Sequence, residues 1–255
     1  VFGAEDRELL ELVAKPRLLV VEQVQARFAL SAADAGARVG GLLGAGLVRR
    51  DRASVWRPWS FRITRLGLAA IGSELPAPRF DPRSFRHDVA VSWIWLAGLD
   101  GRTFGPGVER VLSERVMRHE DQVRAGTRAS GPDAQRWSAG SDREAPFGVR
   151  VLGAGGGGLR YPDAMLVLER GRVAITVALG VSSIVELEAL LAGYGAAPAI
   201  AAVHYLVTDS LVGDLIAAAA TRVGLSDLVS VQLARGAGMH AARAARGSGL
   251  AGGVG

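Results

Sequence analysis

A chain of 255 residues, 49% of them hydrophobic, is long enough to bury a core in one large domain or two smaller ones. The absence of cysteine excludes disulfide scaffolds and thiolate metal sites, and the net charge of +5 leans mildly toward a polyanionic partner. No apolar run approaches the ~18 residues of a membrane span. Val89–Leu99 comes nearest, and Asp88 and Asp100 bracket it. The first residues lack a basic-then-apolar signal pattern, so a cytoplasmic protein with no membrane partner is expected. Basic residues are almost all arginine; Lys15 is the only lysine.

Glu5 to Ala14 places Leu9, Leu10 and Val13 at helical spacing and stops before Pro16. Leu18 to Phe28 reads as a second helix, and Ser31-Ala-Ala-Asp34 caps a third that runs toward Gly46. Two short strands, 46–51 and 59–64, flank a loop, and Leu66–Ile71 closes the unit as a helix. This order predicts a winged helix-turn-helix over residues 1–76. Arg49, Arg50, Arg52, Arg57, Arg62 and Arg65 crowd the ribbon against one acid, Asp51, and Trp56 and Trp59 interleave with them. In the third helix only Arg38 and Asp34 could read base edges, so double-stranded DNA is the expected partner, held through phosphate more than through bases. The phrases Leu42-Leu-Gly-Ala-Gly-Leu-Val-Arg-Arg50 and Ile63-Thr-Arg-Leu-Gly67 resemble the third-helix end and wing end of many bacterial winged-helix DNA-binding proteins.

Pro76-Ala-Pro78 and Asp81-Pro82 read as a linker. Ser84 to Ala97 reads as a helix, in which His87-Asp88 is a surface or capping pair rather than a site. Val108 to Val123 reads as another helix, 126–158 as a loop-rich stretch, and 236–255 as a disordered tail. The tetraglycine at 155–158 is not a phosphate loop, because no Lys-Ser/Thr follows and a strand comes next.

Residues 160–179 read as two strands joined by a tight turn at Glu169–Arg172. In the second strand Val173, Ile175, Val177 and Leu179 form a bulky face that a helix is expected to cover; Ala174, Thr176 and Ala178 form the other. Ser183-Ile-Val-Glu186 is a capping box for the following helix, and 199–207 returns as a strand. Asp209 caps one more helix and 228–233 ends the sheet. The expected fold class is α/β (α+β overall), with an α/β domain over 82–235.

The order Pro162-Asp163, hairpin, helix resembles the PD-(D/E)xK nuclease fold. With Ser113-Glu-Arg115, Tyr161-Pro-Asp-Ala164 and Leu190-Leu-Ala-Gly-Tyr194, residues 5–235 resemble the replication-relaxation family of actinobacterial plasmids and mobile elements. That resemblance implies a role in plasmid or mobile-element replication or copy control. It also implies a Mg²⁺ site built from Asp163, further acids and a lysine. The family's acids fall on Thr176 and Ala178 and its lysine on Ser182, so a pseudo-nuclease with no cofactor is expected. Two alternatives stand beside it. One is a metal-dependent nuclease in which Glu109, Glu114 or Glu120 replaces the missing acids. The other is a transcription regulator whose C-terminal domain binds a ligand or a second copy of the chain.

Overall fold

Glycine 67 sits so close to the chain around it that a Cβ there would lie 2.1 Å from the Leu47 carbonyl oxygen. It belongs to the first of two units, whose main segment ends at Leu96 and which Ala234 rejoins, in a computed structural model describing residues 3–100, 104, 107–129, 146–151 and 158–234. The chain is mixed α/β, and its second unit is Ala97–Leu233.

The first unit runs α1 (Ala4–Ala14), β1 (Leu19–Val20), α2 (Val21–Phe28), α3 (Ala32–Gly44), β2 (Val48–Asp51), β3 (Ser60–Ile63), α4 (Arg65–Ala70) and α5 (Phe85–Leu99), whose last residues lie beyond the division. Leu9, Leu10 and Val13 of α1 are buried, as their spacing predicts. Residues 18–20 are not the start of a helix. Leu19 pairs with Phe61 and Val20 with Ser60, because three consecutive buried apolar residues suit a strand covered on both faces. Gln23 Oε1 then accepts the Val20 N–H at 2.9 Å and α2 begins. Ser31 caps α3 by accepting the Asp34 N–H at 3.1 Å. The sheet order is β1-β3-β2, all antiparallel. Thr64 accepts the Gly67 N–H at 3.0 Å, and its hydroxyl lies 2.8 Å from the Gly46 carbonyl, which locks α4 onto the end of β2.

The proline-rich stretch expected as a linker is strapped to the ribbon. Arg62 donates to the Pro78 carbonyl and its guanidinium lies over the Phe80 ring at 5.5 Å. Helix α5 continues the same unit: Gln23 Nε2 donates to the Val89 carbonyl at 3.0 Å, and Ser92 Oγ donates to the carbonyls of Leu18 or Asp88. Phe85 packs with Leu18 and Val20. The division therefore falls after Leu96 instead of near residue 80, since these contacts draw most of α5 into the first unit. His87 and Asp88 stand at the α5 start, where Ser84 Oγ donates to Asp88 at 3.0 Å, a capping arrangement.

The second unit holds β4 (Val108–Ser113), α6 (Glu114–Ala129), β5 (Val149–Val151), β6 (Gly158–Arg160), β7 (Ala164–Leu168), β8 (Arg172–Ala178), α7 (Ile184–Gly195), β9 (Ile200–Val207), α8 (Ser210–Arg222) and β10 (Val229–Leu233). Five strands form one sheet in the order β10-β9-β8-β7-β4; β8, β9 and β10 are parallel, and β7 is antiparallel to both neighbours. The hairpin turn contains Gly171 at φ 88°, a conformation that favours glycine. Ser183 accepts the Glu186 N–H and Asp209 the Leu211 N–H, so both expected caps form.

Two expectations fail here. Val108–Val123 is not one helix: residues 108–113 are an edge strand paired with β7, and the helix starts at Glu114. The helix after β8 covers the small face of that strand and not the bulky one. Ala174 and Ala178 share a core with Leu187, Leu191 and Tyr194 of α7 and with Val203, Tyr205 and Val207 of β9. A helix backbone can approach a sheet closely where its side chains are small, which leaves Tyr194 room to lie down against the strands. No helix among the described residues is long and apolar enough to cross a membrane. The expected loop and tail fall largely or wholly outside the described residues: 130–145, 152–157 and 235–255.

Candidate nucleic-acid interface and the Asp163 position

The ribbon of β2 and β3 brings the basic residues together by register. Arg49 stands opposite Arg62 and Asp51 opposite Ser60, so Arg49, Asp51 and Arg62 share one face. Asp51 is consumed there. Arg62 grips it with two hydrogen bonds, 2.7 and 3.0 Å, both side chains are more than nine-tenths buried, and Arg49 approaches the same carboxylate at 3.6 Å. Arg62 thus holds the ribbon together and is unavailable to a ligand, which removes it from the expected contact set.

Arg38 is also drawn inward. It pairs with Glu5 of α1 at 2.5 Å and lies over the Phe28 ring at 5.8 Å. Asp34, the other expected base reader, is engaged by Ser31 Oγ at 2.6 Å. The rest of the exposed α3 surface is Ala32, Ala33, Gly36, Ala37, Gly40, Gly41 and Gly44, which carry no polar side chain at all. Arg52 is exposed but committed: its guanidinium donates to the carbonyls of Val55 and Arg57 and lies 5.0 Å from the Trp59 ring. Arg50 stacks on the same ring at 4.2 Å. Arg57 and Arg65 are exposed and make no ion pair with any described residue. Trp56 is 91% exposed at the ribbon's tip. The alternation of six arginines around one acid could have flagged Asp51 as a clamp, since only one arginine can take it bidentately.

In the second unit Asp163 precedes β7. Its Oδ2 accepts the Val177 N–H at 2.7 Å, and its carbonyl accepts the Glu114 N–H at 3.2 Å. The register that pairs Ala164 with Ile175 ends one residue away, so the carboxylate extends the ladder sideways to β8. Ala178 packs against the core that α7 covers, and the Thr176 hydroxyl is buried beside Tyr194 of α7. The Thr176 hydroxyl faces Tyr194, yet no hydrogen bond of good geometry reaches Thr176 Oγ1 or Tyr205 Oη, both fully buried. Burial pushes the phenols of Tyr194 and Tyr205 up, and the charge on Asp163 adds to both shifts. Ser182 is exposed, one residue before the cap of α7.

No family model matches the chain, and no curated protein matches it.

The other acids expected as metal ligands, Glu109, Glu114 and Glu120, are ion-paired or distant. Glu114 takes Arg118 at 2.7 Å, and Glu120 takes Arg110 at 2.6 Å and Arg124 at 3.3 Å. Glu109 lies toward the other end of β4, about 13 Å along the strand from the Ser113–Ala164 pair at ~3.3 Å per residue. Asp121 is buried and accepts the amides of Phe147 and Gly148 at 2.9 and 3.1 Å. Tyr161 beside it is pushed up to about 12, by burial first and by Asp121 second. No three His, Asp or Glu side chains among the described residues converge where a metal could bind. One carboxylate already accepting an amide, with two neutral hydroxyls, does not fit Mg²⁺.

Proposed function

We propose that the first unit is a winged helix-turn-helix that binds duplex DNA chiefly through phosphate contacts from the β2–β3 ribbon. The observation that carries this reading is the division of labour among the ribbon arginines. Arg62 neutralises the only acid of the ribbon, which leaves Arg49 and Arg50 exposed on β2, Arg57 exposed beside the protruding Trp56 and Arg65 exposed past the ribbon's base. The strand order β1-β3-β2, with helices α2 and α3 between β1 and β2, supports the same reading. The smooth exposed surface of α3 offers no base reader, so binding is weakly sequence-dependent.

The second unit, in this reading, is a nuclease-like scaffold without cleavage chemistry, and the chain serves plasmid or mobile-element replication or copy control in the manner of the replication-relaxation proteins it resembles. The use of Asp163 as a backbone acceptor supports the loss of catalysis. The test is fluorescence anisotropy of the full chain on a random-sequence duplex across a salt series. Binding should weaken steeply with salt, and Arg50→Ala, Arg57→Ala and Arg65→Ala together should lower the slope of log affinity against log salt by about 2–3. An unchanged slope and affinity in the triple variant would reject the ribbon as the contact surface.

A further inference from the structure

A tryptophan held almost wholly in water needs a reason, and the loop around Trp56 shows that its exposure is built. Residues 54–57 form a turn closed by the Arg57 N–H donating to the Ser54 carbonyl at 3.1 Å, with Val55 and Trp56 at its two corners. Arg52 reaches across the base of this turn and ties down the carbonyls of Val55 and Arg57. The indole therefore projects from a braced turn and not from a slack tail. Trp59, 4.2 Å beneath the Arg50 guanidinium, is already stacked; Trp56 has no such partner among the described residues and is 91% exposed, with Val55 beside it at 67%.

Resting on the DNA-binding reading above, we propose that Trp56 is a stacking wedge that takes an unpaired base, so that the ribbon prefers DNA with an extruded or unpaired base to a fully paired duplex. Three features point to a nucleic acid. Exposed cations run along the ribbon, with Arg57 at the tip, Arg49 and Arg50 on β2 and Arg65 just past its base, and they suit a polyanion, while the one ribbon acid is neutralised. An exposed indole on a rigid turn offers a flat π surface, which every base can match. The two α3 side chains able to read base edges, Asp34 and Arg38, are engaged by Ser31 and Glu5, which favours selectivity by the state of the DNA over selectivity by its sequence. A paired base is already stacked on its neighbours and must be pulled away to meet the indole; an unpaired base needs no such step, and this difference sets the preference.

The experiment uses the full chain and two labelled DNAs, one fully paired and one identical but for a single bulged 2-aminopurine. Wild type is expected to bind the bulged DNA about tenfold more tightly, the size of one base–aromatic stack. It should also quench the 2-aminopurine. Trp56→Ala should bring the ratio to about one and abolish quenching while leaving paired-duplex affinity within about twofold. Trp56→Phe should keep most of both. A ratio near one in wild type, or a ratio that survives in Trp56→Ala, overturns the wedge. If wild type binds paired duplex with a normal salt dependence but shows no bulge preference, only the wedge falls; if it binds neither DNA, the phosphate-contact reading falls with it. Binding to anionic phosphatidylserine vesicles that Trp56→Ala abolishes, alongside a DNA ratio of one, would assign the tip to a lipid surface and likewise overturn the proposal.

Discussion

The carboxylate of Asp163 accepts the Val177 N–H at 2.7 Å, joining the start of β7 to the far end of β8 through a side chain. Asp163→Ala leaves that part-buried amide without its acceptor and should destabilise the protein by about 1–3 kcal/mol, whereas Asp163→Asn retains an oxygen and should recover most of it. Chemical denaturation measures both. In the same preparations supercoiled plasmid with Mn²⁺ should stay intact, for wild type and variants alike. Nicking by wild type that Asp163→Ala abolishes would show a live catalytic site.

The Arg62–Asp51 pair separates folding from binding. Both partners are more than nine-tenths buried, so Arg62→Ala strands a carboxylate inside the ribbon and should cost about 3 kcal/mol. Arg57→Ala and Arg65→Ala, at exposed positions, should leave the melting temperature within about 1 °C. Their effect should be confined to DNA affinity, about three- to tenfold each at low salt. A melting shift for Arg57→Ala as large as that for Arg62→Ala would contradict this assignment.

His204 on β9 lies against Ser230 of β10, and burial holds its pKa below the ordinary 6.5. The folded state therefore refuses a proton that the unfolded chain accepts. Stability is complete above about pH 6.5 and is lost as pH falls through that value toward the lower folded pKa. Urea denaturation of wild type and His204→Gln between pH 7.5 and 5 isolates this group from the carboxylates. The difference between the two proteins should narrow or reverse in favour of the variant as pH drops; a difference constant with pH would refute the linkage.

Gly67 and Gly40 should respond in opposite directions to alanine. A Cβ at Gly67 meets the Leu47 oxygen at 2.1 Å and Ile63 Cγ1 at 2.8 Å, so Gly67→Ala must push α4 off β2, with an expected loss of about 3 kcal/mol. Gly40 lies within α3 with nothing within 4 Å of that position, and alanine there should stabilise by about 0.5–1 kcal/mol. Thermal melts of the two variants, moving apart, are the check.

Local chemistry was the readable part of the chain. The caps at Ser31, Ser183 and Asp209 and the turn at Gly171 each announce themselves in a few residues, because a side-chain oxygen or a positive φ is a local requirement. The helical spacing of Val108 to Val123 has a definite structural cause. A bulge between Val108 and Arg110 sets two residues against one step of β7, so Val108 faces with Leu168 and Val111 with Leu166. Leu168 and Leu166 share a face, and the bulge therefore places two strand residues three apart on the same side, which mimics helical spacing. The choice of covered face on β8 was equally non-local, for it is decided by where α7 returns and not by which residues are larger. At the ribbon, sequence identified the basic set, but nothing local could tell that Arg62 and Arg38 would turn inward to Asp51 and Glu5.

The two buried hydroxyls beside Asp163 bear on whether this sheet could acquire a second acid there by small evolutionary steps. An aspartate introduced at position 176 would carry a second charge into a space roofed by Tyr194 and adjoining Tyr205, within reach of the carboxylate already present. With no cation to share, one of the two acids would stay protonated or the strand would loosen, at a cost of several kcal/mol. A lineage carrying this arrangement would have to open the α7 side of the sheet before a second acid became tolerable, so such a gain requires a concerted set of changes through intermediates that fold less well than either end point.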